Sequence, residues 1–92
     1  MINDELNPGE LMLTNIAFTN EDNYDMKASV TVSIPELAVR KRIKFNLEPK
    51  QQAASIIPLE IPEYAEPGEY YVTVEIFDGK ISRTKYRFVN IT

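Results

Sequence analysis

The chain has 92 residues, 43% apolar and 26% charged, with a formal charge of −4, a composition that describes one folded domain rather than a disordered segment. It contains no cysteine and no histidine, which excludes a disulfide framework, a thiolate metal site, a cysteine nucleophile and any imidazole acting as general base or metal ligand. The negative balance argues against nucleic acid as a partner, and the longest apolar run is a few residues, too short to insert in a membrane as a helix.

Residues 1–7 read as a linker or a short first strand around Ile2 to Leu6, and residues 1–92 as a single domain. Pro8-Gly9 opens a strand from Glu10 to Phe18, which the polar cluster Thr19 to Asp25 closes. Simple alternation there buries Met12, Thr14, Ile16 and Phe18 and leaves Leu11, Leu13 and Ala17 outside beside Ile56. A bulge near Asn15 would bury Leu11 and Leu13 instead, and the bulge is favoured. From Lys27 to Ile34 the chain alternates strictly, with Ala28, Val30, Val32 and Ile34 on one face, as a half-buried antiparallel strand does. Pro35-Glu36 turns the chain. Val39, Ile43, Phe45 and Leu47 then alternate against Arg40, Arg42, Lys44 and Asn46, with Lys41 a misfit on the apolar side.

Gln52 to Ile61 places Ala53, Ser55, Ile57, Leu59 and Ile61 on one face. Pro58 has the opposite parity, which suits an edge strand. Tyr70 to Phe77 turns Tyr70, Val72, Val74 and Ile76 inward, and the last strand runs from Ile81 to Ile91. Between these two, a two-residue Asp78-Gly79 turn would set Val74 beside Arg83 and Val72 beside Lys85 on the buried side. A three-residue loop avoids this, with Gly79 in the left-handed conformation as a bulge. That reading turns Thr84 and Tyr86 inward and Arg83, Lys85 and Arg87 outward. Six long strands at turn spacing, without helical periodicity or an internal repeat, predict an all-β, antiparallel β-sandwich of six to seven strands. The third, second, fifth and sixth long strands are expected in one sheet.

"EPGEYYVTVEI", Glu66 to Ile76, resembles the segment of immunoglobulin-like domains in which a turn precedes a Tyr-x-core residue pair. Pro8-Gly9-Glu10, Thr19-Asn20, Val30 to Pro35, Leu47-Glu48-Pro49, Ile61-Pro62 and Pro67 to Val74 follow one another in the order seen in bacterial and archaeal surface modules of the CARDB-like and galactosidase-associated type. The resemblance covers nearly the whole chain. It implies an immunoglobulin-like or fibronectin type III-like domain with Val72 where a core cysteine would stand. Tyr70 would be the tyrosine-corner residue, its hydroxyl bonded to nearby backbone. It further implies a non-catalytic structural or adhesive module of a cell-surface or secreted protein, extracellular, without cofactor, whose partners are neighbouring domains or protein subunits. The alternative is an accessory glycan-binding module of a carbohydrate-active enzyme. The first residues, Met1 to Glu5, do not read as a signal peptide, so either the domain works in the cytosol or the chain is a piece of a longer protein, and the second is favoured.

Charge placement is the main functional clue. Seven of the ten basic residues, Arg40, Lys41, Arg42, Lys44, Arg83, Lys85 and Arg87, lie on the third and last long strands. With both strands in one sheet, Arg40, Arg42, Lys44, Tyr71, Arg83, Lys85 and Arg87 would form a basic face able to take an anionic glycan or an acidic neighbour. The competing reading is edge protection by charge. Aromatic platforms for a sugar would be Tyr71, Tyr64 and Tyr24. Glu21, Asp22 and Asp25 offer oxygens of the kind calcium accepts but lack the order of a calcium loop, and a solvated turn is the plainer reading. Asn90-Ile91-Thr92 is an N-glycosylation sequon.

Overall fold

A computed structural model describes residues 5–92. Its strands are β1 (Glu5–Leu6), β2 (Leu11–Thr19), β3 (Met26–Ile34), β4 (Val39–Leu47), β5 (Gln52–Glu60), β6 (Gly68–Phe77) and β7 (Ser82–Ile91), with a short 3-10 turn at Pro35–Leu37. The boundaries follow the punctuation: Pro8-Gly9 before β2, Pro35 after β3, Pro49 before β5 and Pro67-Gly68 at β6. There is no α-helix among the described residues. The strands form a five-stranded sheet in the order β1-β7-β6-β3-β4 and a two-stranded sheet of β2 and β5.

The expected grouping of β4, β3, β6 and β7 is the observed one. The expectation of a purely antiparallel arrangement needs correction, because β1 runs parallel to β7, pairing Glu5 with Asn90 and Leu6 with Ile91. That makes the larger sheet mixed. Any part of a first strand before Glu5 lies outside the described residues.

One core joins the two sheets. Met12, Ile16, Ile57 and Leu59 of the small sheet pack with Val30, Val32, Ile34, Val72, Val89 and Ile91 of the large one. Ile57, Val30, Val32, Ile34 and Val72 are fully buried, as their period-2 spacing requires for strands with one face inward. Phe18 and Phe45 meet edge to face at 5.1 Å and 89°, an aromatic pairing across the two sheets. The molecule is elongated along the strands, 47 × 20 × 16 Å.

Two register expectations are overturned. β2 contains no bulge: its pairing with β5 runs unbroken from Leu11 opposite Glu60 to Thr19 opposite Gln52. Continuous alternation buries Met12, Thr14 and Ile16, so Leu11 and Leu13 stay outside. The loop between β6 and β7 is not a three-residue bulge. Phe77 pairs with Ser82, leaving the four residues Asp78 to Ile81 as the connection. Asp78 Oδ1 accepts from the Lys80 and Ile81 amides at 2.9 and 2.8 Å, and the Asp78 amide donates to the Ile81 carbonyl at 3.2 Å. Gly79 has φ +98°, and a Cβ there would lie 3.4 Å from the Lys27 carbonyl oxygen. The backbone therefore favours glycine at this position.

Candidate functional site

The even loop reverses the expected faces of β7. Register places Arg83 opposite Ile76, Lys85 opposite Val74 and Arg87 opposite Val72, on the side of the sheet that faces the core. The physical reason lies at the end of the strand. Val89 and Ile91 share parity with the three cations and are each only 2% exposed, so burying them carries the whole set inward. Long aliphatic stems let Arg83 and Lys85 keep their charges in solvent while lying on the core side. Arg87 Nη2 donates to Thr14 Oγ1 at 3.3 Å, linking β7 to β2. Between the two strands lies a slot of about 310 Å³ lined by Thr14, Ile16, Val74, Ile76, Lys85 and Arg87 among others.

The expected single basic face is thus two separate surfaces. Arg40, Arg42 and Lys44 stand on the outer face of the large sheet, in register with Ser33, Thr31 and Ser29. Tyr71 is on that same outer face, but Arg83, Lys85 and Arg87 are on the other. In place of the three cations the outer face receives Thr84, Tyr86 and Phe88. Tyr71 lies 6.0 Å from Tyr86 and 6.5 Å from Phe88 between ring centroids, tilted at 60° and 71°. Tyr86 and Phe88 are 66% and 61% exposed, so the cluster is a surface feature and not part of the core. Tyr86 is thus outside and not in the interior as expected, and the signal that locates both rings is the parity of Val89 and Ile91.

Cross-strand register orders this outer face into rows. Arg40, Ser33, Thr73 and Tyr86 align across β4, β3, β6 and β7, and the next row is Arg42, Thr31, Glu75 and Thr84. At about 4.8 Å per strand, each row spans about 14 Å, and the first runs from an aromatic end at Tyr86 to a basic end at Arg40. The three tyrosines proposed as sugar platforms are not brought together. Tyr64 donates its hydroxyl to the Leu37 carbonyl at 2.8 Å, whereas Tyr24 is paired with Lys80 at the loop end.

The opposite outer face belongs to β2 and β5. Leu11, Leu13 and Ile56 are 55%, 47% and 57% exposed. Register sets Leu13 against Pro58, Asn15 against Ile56 and Ala17 against Ala54. Glu60 is the single charged residue among the ten outward positions of these strands.

The loop cluster at the end opposite the termini is organised by an amide. Asn20 is fully buried. Its Nδ2 donates to the carbonyls of Tyr24, Leu47 and Glu48 at 2.9, 3.1 and 3.1 Å, and its Oδ1 accepts from the Asp22 amide at 3.0 Å. Lys50 Nζ caps the Glu21 carbonyl at 2.6 Å. No grouping of three or more carboxylates suited to a metal ion occurs among the described residues. Glu21, Asp22 and Asp25 therefore do not converge as a calcium site would require. Lys80 Nζ donates to the Tyr24 hydroxyl and lies 4.7 Å from its ring centroid. That hydrogen bond, more than the surrounding charges, raises the Lys80 pKa. The Ile81 amide, then that of Lys80, holds the Asp78 carboxyl below its ordinary range.

Tyr70 is half-buried and donates its hydroxyl to the Glu66 carbonyl, four residues upstream, at 2.8 Å. Val72 is fully buried in the centre of the core. No helix among the described residues is long and apolar enough to cross a membrane. No protein-family model matches the chain, and no curated protein is significantly similar to it.

Proposed function

We propose that this chain is an immunoglobulin-like β-sandwich, a non-catalytic structural or adhesive module of a cell-surface or secreted protein that holds its partners through sheet faces and strand edges. The strand order β1-β7-β6-β3-β4 against β2-β5 and the Tyr70 to Glu66 hydrogen bond support the immunoglobulin-like reading, since a tyrosine bonded to backbone a few residues upstream is a hallmark of that sandwich.

The observation that carries the function is the outer face of β2 and β5. It exposes Leu11, Leu13 and Ile56 with almost no charge, and each strand of this two-stranded sheet has an unpaired edge. An apolar surface between two open edges suits another β-sheet module laid against it, and a second copy of this chain is the simplest such module. Sedimentation velocity tests this up to roughly millimolar protein, where contacts worth about 4 kcal/mol are populated. Wild type is expected to associate with rising concentration and Ile56→Lys to stay monomeric. Identical monomeric behaviour of both proteins would contradict the reading.

A second reading, an accessory glycan-binding module, is favoured by the exposed Tyr71, Tyr86 and Phe88 cluster. Its rings lie on a sheet face, where flat binding surfaces are found, and not in a cleft.

A further inference from the structure

We propose that the outer face of the five-stranded sheet binds a linear acidic polysaccharide laid across the strands, with one sugar on the Tyr86, Tyr71 and Phe88 cluster and a carboxylate or sulfate further along on Arg40 and Arg42. This deepens the glycan-binding reading and rests on it.

The row Arg40, Ser33, Thr73, Tyr86 is the track. Over the stretch where they pair with each other, Ser29 to Ser33 and Thr73 to Phe77, the central strands β3 and β6 use their main-chain N–H and C=O groups on both neighbours. A ligand on this face must therefore be recognised by side chains alone. Three kinds are present in order: rings that pack against an apolar surface, hydroxyls that both donate and accept, and guanidiniums that grip an anionic group through paired hydrogen bonds. A sugar polymer with acidic substituents presents the complementary series of C–H ring faces, hydroxyl groups and anions. Arg40 and Arg42 are two positions apart on the same side of β4, about 7 Å along the strand, so both reach one anionic group.

Other polyanions fit less well. A nucleic acid carries a phosphate at every nucleotide and needs cations along its whole path, but the centre of the track is neutral and Glu75 lies in the adjoining row. An acidic peptide gains its affinity by adding to a strand edge through main-chain hydrogen bonds, which a face does not offer. Edge protection accounts for charge on β4. It does not account for Phe88 and Tyr86 left more than half exposed on the same face.

The test measures binding of the chain to polygalacturonate and to chondroitin sulfate. The neutral methyl ester of polygalacturonate and poly-glutamate serve as comparisons. At least one acidic polysaccharide is expected to bind. Arg40→Ala with Arg42→Ala, and separately Tyr86→Ala, are expected to weaken that binding roughly tenfold or more. Arg83→Ala with Lys85→Ala, on the opposite side of the sheet, is expected to leave it unchanged. Unchanged circular dichroism establishes that each variant folds. Equal binding of the methyl ester, or indifference to the Arg40 and Arg42 changes, overturns the acidic track and leaves the glycan-binding reading standing. Equal binding of poly-glutamate overturns the track as well, because the face then reads charge alone. Failure of every polysaccharide to bind removes both readings.

Discussion

The two outer faces of this small molecule are built by the same alternation and differ in what they show to solvent. Over the five-stranded sheet, Arg40, Arg42 and Lys44 share a surface with hydroxyls and with the rings of Tyr71, Tyr86 and Phe88. Over the two-stranded sheet, Leu11, Leu13 and Ile56 stand among uncharged neighbours apart from Glu60, which faces Leu11. The difference teaches that burial alone does not explain the apolar residues of this chain. Its core is complete without Leu11, Leu13, Ile56, Tyr86 and Phe88, so these side chains are not needed to fill it. One face suits another sheet, and the other suits a mixed polar and aromatic ligand.

The contrast collapses if the small sheet leaves the large one. Ile57 sits fully buried between them, and Ile57→Ala is expected to lower unfolding stability by about 2–5 kcal/mol, as measured by urea denaturation. A cost below about 1 kcal/mol would mean that the sheets are held together some other way. Asn20→Ala tests the polar pin between the loops that join the sheets. With three carbonyls losing their donor, the expected loss is about 1–3 kcal/mol, again read from the denaturation midpoint.

Asp78 sharpens the register on which the outer face depends. Its pKa is lowered by the Ile81 and Lys80 amides, so the folded state prefers the carboxylate. The stabilisation is therefore present above the ordinary value of 3.8 and is lost as pH falls through the lower folded-state pKa. Thermal melts should show a gap between wild type and Asp78→Ala at neutral pH that closes in acid, and a gap independent of pH would show that the carboxylate is not the group holding the turn. The smallest effect on stability is expected for Ile56→Lys and Tyr86→Ala, each within about 0.5 kcal/mol of wild type because neither side chain enters the core. A larger cost in thermal melts would place one of those residues inside and erase the distinction between the faces.

Much of this architecture was legible in the residues. Turn chemistry at Pro8-Gly9, Pro35, Pro49 and Pro67-Gly68 brackets the strands, and the alternation of β3, β5 and β6 places Val30, Ile57 and Val72 in the core. The site was legible only in part, because a strand's parity depends on the length of the loop before it. Reading β7 from its first half avoids cations on the core side, but reading it from Val89 and Ile91 requires them there. The second constraint prevails physically: Val89 and Ile91 have no means of escaping water except burial, whereas Arg83 and Lys85 have stems long enough to reach solvent from the core side and Arg87 donates to Thr14. The same logic settles β2, where a bulge would have buried Leu11 and Leu13 only by breaking the continuous ladder with β5. The inward Thr14 keeps a partner in Arg87, so uninterrupted alternation leaves no unsatisfied hydroxyl.

The most direct test of two functional faces on one core is NMR with a soluble paramagnetic agent, recorded at low and at high protein concentration. At low concentration the signals of Leu13, Ile56, Tyr86 and Phe88 should all broaden, while those of Ile57, Val72 and Val89 stay sharp. As concentration rises, Leu13 and Ile56 should become protected and Tyr86 and Phe88 should remain open. Protection of Tyr86 and Phe88 already at low concentration would contradict the assigned faces, and loss of accessibility on both faces together would contradict their division of roles.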